Sequence, residues 1–471
     1  MRVLFLISLC FFTVNSEIPV CHGTVSFDKP NTEPIVSWYP NDFSNSEAPL
    51  FPDNYDCTYQ INVPQGWSAR INLTVNSTGT FSNAPVHITD QLNVTEEVFS
   101  ADREYFYFAG NGGKIQLSTG TGKLNFGFKV DWVEYGSFSP SQILVNSSAT
   151  LPAMTGIQKS SSILITANTR VSLTVITYNY DFYWMLLRGV LVFDGPDLNS
   201  PCIGTAYQLY KKQIQYVSTG RQMTVQFLNR ETYTYNPMFV MQDYENTKGI
   251  VQFQGVSCMI DNYCGVYSMD ASKGPVAVQT IYSANYAEPD ILTDIDGVGT
   301  LEVYMGGVTK SKKNVITVYN AQTSSTYLPQ KFQYPLKTYL LTMGSANINI
   351  TRDTDEFGKT KAFGRKGFIP STYYTELDKG QHAYGEIIAP VGSSGAKFKL
   401  RMIYADMAGN SVMWIEGYKN GETVYEKDYN STVLPDMKND IIVNGDSFSM
   451  YYDDMGTATR GVYMKFEVAQ P

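Results

Sequence analysis

Alternation of apolar and polar residues with a period of two recurs along this chain, and it restricts the fold more than any other feature. In Ala69-Arg-Ile-Asn-Leu-Thr-Val75, the residues Ala69, Ile71, Leu73 and Val75 fall on one face and Arg70, Asn72 and Thr74 on the other. Successive side chains of a strand point to opposite sides, so this is the pattern of a half-buried strand. It puts Asn72 on the solvent side. Leu124-Asn-Phe-Gly-Phe-Lys-Val-Asp-Trp132 repeats it, as do Val171–Val175, Met223–Phe227, Phe398–Met402 and Val462–Val468. Gly110-Asn-Gly-Gly113, Gly120-Thr-Gly-Lys123, Asp194-Gly-Pro196 and Lys419-Asn-Gly421 supply turns between strands, the first two read as hairpins. Helical periodicity is nearly absent. Tyr (34) and Phe (25) are abundant and only 17% of residues are charged, which suits pleated, half-buried surfaces. Many short strands with such punctuation predict an all-β protein built of antiparallel β-sandwiches.

The 471 residues exceed one ordinary domain. An apolar strand running into a glycine turn recurs as Val190–Gly195, Leu301–Gly306 and Val412–Gly417. Each is followed by a strand, a polar loop and a closing strand: Met223–Phe227 with Met238–Met241, Asn347–Ile350 with Gly367–Tyr373, and Phe448–Tyr452 with Val462–Val468. The first region has the pair Lys114–Leu117 and Phe126–Trp132, preceded by a poorer match at Val86–Asp90. The chain reads as about four repeats of roughly 115 residues. The expected spans are 17–135, 141–246, 256–376 and 377–469, with Gly136-Ser-Phe-Ser-Pro-Ser141 as the best linker.

Residues 1–16 read as a secretory signal peptide: Arg2, an apolar run from Val3 to Val14, then small residues at Asn15-Ser16. No later apolar stretch is long enough to span a bilayer, and the alternating, charged end lacks a GPI tail. The expected location is secreted, extracellular. After removal of Cys10 five cysteines remain, Cys21, Cys57, Cys202, Cys258 and Cys264, and an odd count leaves one over. Glycan acceptors stand at Asn72, Asn76, Asn93, Asn146, Asn349 and Asn430. The net charge of −9 is spread without a basic block, which argues against nucleic acid and bare anionic lipid as partners.

The opening reads Cys21-His-Gly, Pro30-Asn-Thr-Glu-Pro34, Trp38-Tyr-Pro40 and Phe51-Pro-Asp-Asn-Tyr-Asp-Cys57-Thr-Tyr-Gln-Ile-Asn-Val-Pro-Gln-Gly-Trp67. It resembles the nematode CUB-like domain family, a divergent relative of the CUB domain. The second repeat resembles the later half of a CUB domain through Val190–Pro196, Ile203-Gly204 and Ser218–Phe227; the third echoes both parts through Ser283-Ala-Asn-Tyr286, Leu301–Gly306 and Gly364–Phe368. The resemblance implies tandem jelly-roll-like sandwiches and a Cys21–Cys57 disulfide, a closure on the order of 4 kcal/mol in the chain-entropy model. In the third repeat Glu288 stands where the second Cys would be, so a local Cys258–Cys264 bridge is the simplest alternative, with pairing of Cys202 to either left open. Many CUB domains hold calcium on end loops through a Glu and two Asp. Here the position before the recurring strand is Arg188, Gly299 or Asn410, so the implied ligand set is broken and no metal or cofactor is expected. Asp453 and Asp454 read as a solvated acidic loop, and Asp290, Asp294 and Asp296 as a polar turn.

Catalytic signals are poor. His22, His87 and His382 have no metal-ligand spacing, and no nucleophile-elbow or zinc-protease motif occurs. The aromatic stretches Tyr178–Trp184 and Tyr233-Thr-Tyr235 offer contact surface suited to sugars or proteins, beside their ordinary reading as strand and loop aromatics. The expected activity is non-enzymatic binding of a protein or carbohydrate ligand. The family association with pathogen and stress responses implies a defence effector that contacts a microbial, glycan or host surface through sandwich-end loops. A secreted-matrix component and an enzyme with an unrecognised site are the alternatives.

Overall fold

The computed structural model describes residues 18, 20–21, 23–41, 43, 48–77, 81–135, 138–159, 161–177, 181–229, 237–257, 263–281 and 288–471. The signal segment, His22, Cys258, Ser283–Tyr286, Tyr178–Tyr180 and Tyr233–Tyr235 lie outside the described residues.

Strands dominate, and among the described residues they form four consecutive two-layered units. In the first, Thr24–Asp28 runs parallel to Asp56–Asn62, which pairs in turn with Gly113–Ser118, Val86–Thr89 and Thr95–Val98. The facing sheet is Val36–Tyr39, Leu124–Glu134, Trp67–Ser77 and Ala101–Phe108. Between the layers lie the residues that alternation assigns inward: Ala69, Ile71, Leu73, Val75, Leu124, Phe126, Phe128 and Val130 are all fully buried. Tyr59 stacks on Phe126 at 5.6 Å and meets Tyr39 at 4.4 Å between ring centroids. The second unit repeats the order with Ser141–Val145 parallel to Ser162–Ala167, then Gln222–Phe227, Val190–Phe193 and Cys202–Thr205. The third repeats it again with Gln252–Ser257 parallel to Val276–Ile281, then Leu336–Thr351, Pro289–Met305 and Val315–Asn320. Val86–Thr89, the poor match by sequence, thus occupies the place of Val190–Phe193. The fourth unit has His382–Ile388, Ser447–Asp453, Val412–Lys419 and Glu422–Asn430 in one sheet and Lys366–Pro370, Val462–Ala469, Ala396–Ala405 and Ile441–Gly445 in the other.

Several expectations are corrected. The sequence pattern puts Gly367–Tyr373 at the close of the third repeat, but the strand there is Lys366–Pro370 and it pairs with Val462–Ala469. The third unit closes its sandwich differently. Its two long strands, Pro289–Met305 and Leu336–Thr351, bend and contribute to both layers of one continuous seven-stranded sheet. The bend falls where Gly299 faces Gly344 in register, both at positive φ (138° and 88°). A Cβ on either would stand 2.1 Å from a backbone oxygen, of Met343 and Val298 respectively, so only glycine fits this crossing. Asp290, Asp294 and Asp296 lie on the strand itself, not in a turn. Gly110–Gly113 and Gly120–Lys123 join strands of opposite sheets and so are not hairpin turns, whereas Asn420-Gly421, both at positive φ, does close the hairpin of Val412–Lys419 with Glu422–Asn430. Helices were not expected, yet Asp181–Arg188 and Ala206–Lys212 are helical, the latter opened by a Thr205–Gln208 capping box. Among the described residues no helix is long and apolar enough to cross a membrane.

Candidate functional site

The implied disulfide is present: Cys21 and Cys57 are bonded, with Cα atoms 5.8 Å apart. Cys264 is also disulfide-bonded, and its expected partner Cys258 lies outside the described residues. Cys202 is a free thiol, half-buried at the boundary of the first two units, and burial pushes its pKa up. Four glycan acceptors, Asn76, Asn93, Asn146 and Asn430, are exposed and Asn349 is half-buried. Asn72 differs from expectation. It does point away from the core, but its strand is internal to the sheet, Lys129 and Tyr105 flank it in register, and it is only 7% exposed.

The three positions that replace calcium ligands each have another role. Gly299 makes the bend. Asn410 sits in a turn, its N–H donating to Thr457 Oγ1 at 3.3 Å. Arg188 ends its helix and crosses to the first unit, pairing with Glu96 at 2.7 Å and Glu104 at 3.0 Å, its guanidinium 4.0 Å from the Phe106 ring centre. Burial raises the pKa of Glu96 and Arg188 opposes that rise. Asp453 accepts from Met455 N in its own loop at 2.7 Å, but Asp454 is buried at 1% exposure, not solvated, and accepts from Gly456 N at 2.8 Å and from Gln381 N of a distant loop at 2.7 Å. Among the described residues no three His, Cys, Asp or Glu gather in a metal-holding group. His87 and His382 belong to different units. His382 is held by Gln333 at 2.7 Å and Thr372 at 3.1 Å.

What the structure brings together lies at the seams between units. The first and second meet through Arg188 and an apolar patch of Tyr107, Leu191, Phe193 and Leu228. The second and third bury Ile176, Val240, Ile281 and Leu336, with Thr174 donating to Gln279 Oε1 at 2.9 Å. The third and fourth meet where Phe332 of the third lies 5.9 Å from Phe368, which itself stacks on Tyr463 of its own sheet at 5.3 Å, and Gln330 pairs with both backbone groups of Phe368, at 2.8 and 3.1 Å, in the manner of a neighbouring strand. Beside that contact opens a cleft of about 430 Å³. Val315–Asn320 and the 3-10 helix Ala321–Tyr327 form one wall; the outer face of the sheet carrying Lys366, Lys465, Lys399 and Arg401 forms the other. Register places Phe368, Lys465 and Arg401 in one row and Lys366, Glu467 and Lys399 in the next.

A family model of the CUB-like domain matches residues 16–136, the span that holds the Cys21–Cys57 bridge and the first sandwich. Residues 16–136 are a CUB-like domain. Two further models, each a domain of unknown function (DUF7592 and DUF7591), match residues 144–228 and 245–353. No curated protein matches the chain. Among solved structures, the CUB1-EGF-CUB2 domains of rat MASP-1 are 9% identical, covering 46% of this chain and 99% of that one at a TM-score of 0.18. The VP2 subviral particle of infectious bursal disease virus is 9% identical over 90% of this chain and 73% of that one, at a TM-score of 0.08.

The family resemblance implies the Cys21–Cys57 bridge that is present, whereas nothing in the sequence marks the seams. Arg188 was visible only as a lost calcium ligand. Lys399, Arg401 and Lys465 were legible as the polar halves of alternating strands, but nothing in a linear pattern makes those halves adjacent or sets a neighbouring unit across them.

Proposed function

We propose that the chain is a secreted recognition protein, a defence effector that binds an extracellular surface and catalyses no reaction. The CUB-like domain closed by the Cys21–Cys57 bridge at the head of a row of sandwiches carries this reading, because a disulfide of this kind belongs to an oxidising compartment and such sandwiches present loops and sheet faces to partners. The outward Asn76, Asn93, Asn146 and Asn430 support it as glycan sites, and Cys258–Cys264 is proposed as the second bridge. Expression in a secretory host should deliver the protein to the medium with endoglycosidase-sensitive glycans at these asparagines. The purified protein should then bind bacterial cells or a member of a glycan array. Retention in the cytosol, or secretion without any surface binding, would overturn the proposal; recovery only from insoluble extracellular material would favour a matrix component.

A further inference from the structure

The cleft between the third and fourth units concentrates charge of the wrong sign for this protein. The whole chain carries −9, yet the cleft is lined by four cations, Lys366, Lys399, Arg401 and Lys465, against two carboxylates, Asp440 and Glu467. The two carboxylates are already engaged: Arg401 pairs with Asp440 at 2.6 Å and Lys399 with Glu467 at 3.5 Å. These pairs hold two cations in place at the rim. Lys366 and Lys465 make no ion pair among the described residues, and both are exposed. Register sets them on adjacent strands in neighbouring rows. Opposite them stands Tyr327, 43% exposed at the lip, with Tyr319 behind it and the Phe368–Tyr463 stack at the base.

Unpaired ammonium groups over an aromatic lip and base require a ligand that is anionic and also offers flat apolar faces. From this geometry we infer that the cleft binds an acidic oligosaccharide. Its sulfate or carboxylate groups meet Lys366 and Lys465, and the C–H face of a ring packs on Tyr327. The volume suits a short segment, being within the usual range for ligand sites. An acidic peptide fits less well. The cleft lies on a sheet face, and the strand carrying Lys465 is paired on both sides, so no backbone ladder is offered to an extended chain. This inference rests on the reading of the chain as a recognition protein and names the ligand class of one site.

The test uses the full secreted protein and labelled hexasaccharides prepared from heparin, from hyaluronan and, as a neutral control, from chitin. The heparin or the hyaluronan fragment, or both, should bind, weakening as salt rises from about 50 mM to about 300 mM; the preference between them tells sulfate from carboxylate. Lys366→Glu/Lys465→Glu should lose about tenfold or more in affinity with an unchanged melting temperature, since both residues are exposed. Tyr327→Ala should also weaken binding. Lys419→Glu/Lys427→Glu, an equal change of net charge on exposed residues of the other sheet, should leave binding as it was. Equal binding by the Lys366→Glu/Lys465→Glu variant, equal binding of the neutral fragment, or tighter binding of polyglutamate would overturn the inference. Microbial-surface binding that survives Lys366→Glu/Lys465→Glu would sink the cleft and leave the recognition reading standing; binding of an acidic fragment with none to any cell surface would do the reverse.

Discussion

Arg365 brings a guanidinium into the interior, 4% exposed, where every hydrogen bond it donates ends on a neutral oxygen. Its two terminal nitrogens reach Phe357 O at 2.6 Å, Lys359 O at 2.8 Å, Pro329 O at 2.9 Å, Thr360 Oγ1 at 3.3 Å and Gly358 O at 3.4 Å, while the ring of Phe466 lies 5.3 Å away. Burial pushes its pKa down to about 10, so it stays charged at neutral pH. The side chain thereby ties the third unit, through Pro329, and the connecting turn to the fourth unit. Arg365→Leu should cost about 3 kcal/mol in urea titration, because it strands several buried carbonyls, and Arg365→Lys should recover only part of that for want of the planar fork. Asp131 shows the opposite balance. Burial would raise its carboxyl, but hydrogen bonds from Lys129 and Arg70, the latter at 2.6 Å, outweigh that and hold it below the ordinary 3.8. A carboxylate whose folded pKa is depressed contributes stability above its unfolded pKa and loses it as pH falls through the folded value. The difference in melting temperature between the parent and Asp131→Asn should therefore be largest above pH 3.8 and shrink as the solution is acidified below it; a constant difference would contradict the assignment. Neither residue's role was legible, since Asp131 on the polar side of an alternating stretch and Arg365 beside Gly364 both read as solvent-facing until their partners are known.

At the scale of elements, alternation works where a strand has one buried face and fails where a strand changes layer. Trp67–Ser77 follows its pattern except at Ser68 and Asn72, outer residues that are also covered. Pro289–Met305 does not follow one pattern because its two halves serve different layers of one continuous sheet, the first beside Gln330–Gln333 and the second beside Val315–Asn320. Its Asp-rich start looked like a turn. Asp290 is instead buried, paired with the wholly buried Lys337 at 3.2 Å and accepting from Thr280. The bend needs two facing glycines, Gly299, which the sequence presents only as the replacement of a calcium ligand, and Gly344, which no linear pattern marks. Gly299→Ala or Gly344→Ala should destabilise the chain by about 3 kcal/mol or more, since positive φ and a 2.1 Å backbone clash act together. Gly421→Ala is the fitting comparison: it shares a positive φ but has open space around it, so it should cost only about 1 kcal/mol in the same urea titration. Equal losses at the three positions would mean that the crossing strands can separate to admit a methyl group.

For the whole molecule, the seams decide whether four units act as one body or as beads. The sandwich class follows from the strand pattern, but contacts between units pair residues far apart in sequence and leave no periodic trace. The first seam holds a partly buried charge cluster. Arg188 reaches two glutamates from another unit, has little exposure, and lies on Phe106 on one side and near Tyr207, at 4.8 Å, on the other. A partly buried, bidentate arrangement of this kind is worth more than a surface pair, and removing one partner leaves the other charges uncompensated. Arg188→Ala should therefore leave Glu96 and Glu104 facing each other without a cation and open the seam. Small-angle scattering should show a larger radius of gyration, and protease should cut sooner within residues 136–141. The double variant Arg188→Ala/Glu96→Gln should be less damaged than the sum of its single changes by about 1 kcal/mol or more, because the second substitution removes a charge that the first had orphaned. Simple additivity would show that Arg188 and Glu96 do not act together, leaving the apolar patch around Leu191 and Phe193 to hold the CUB-like domain against its neighbour.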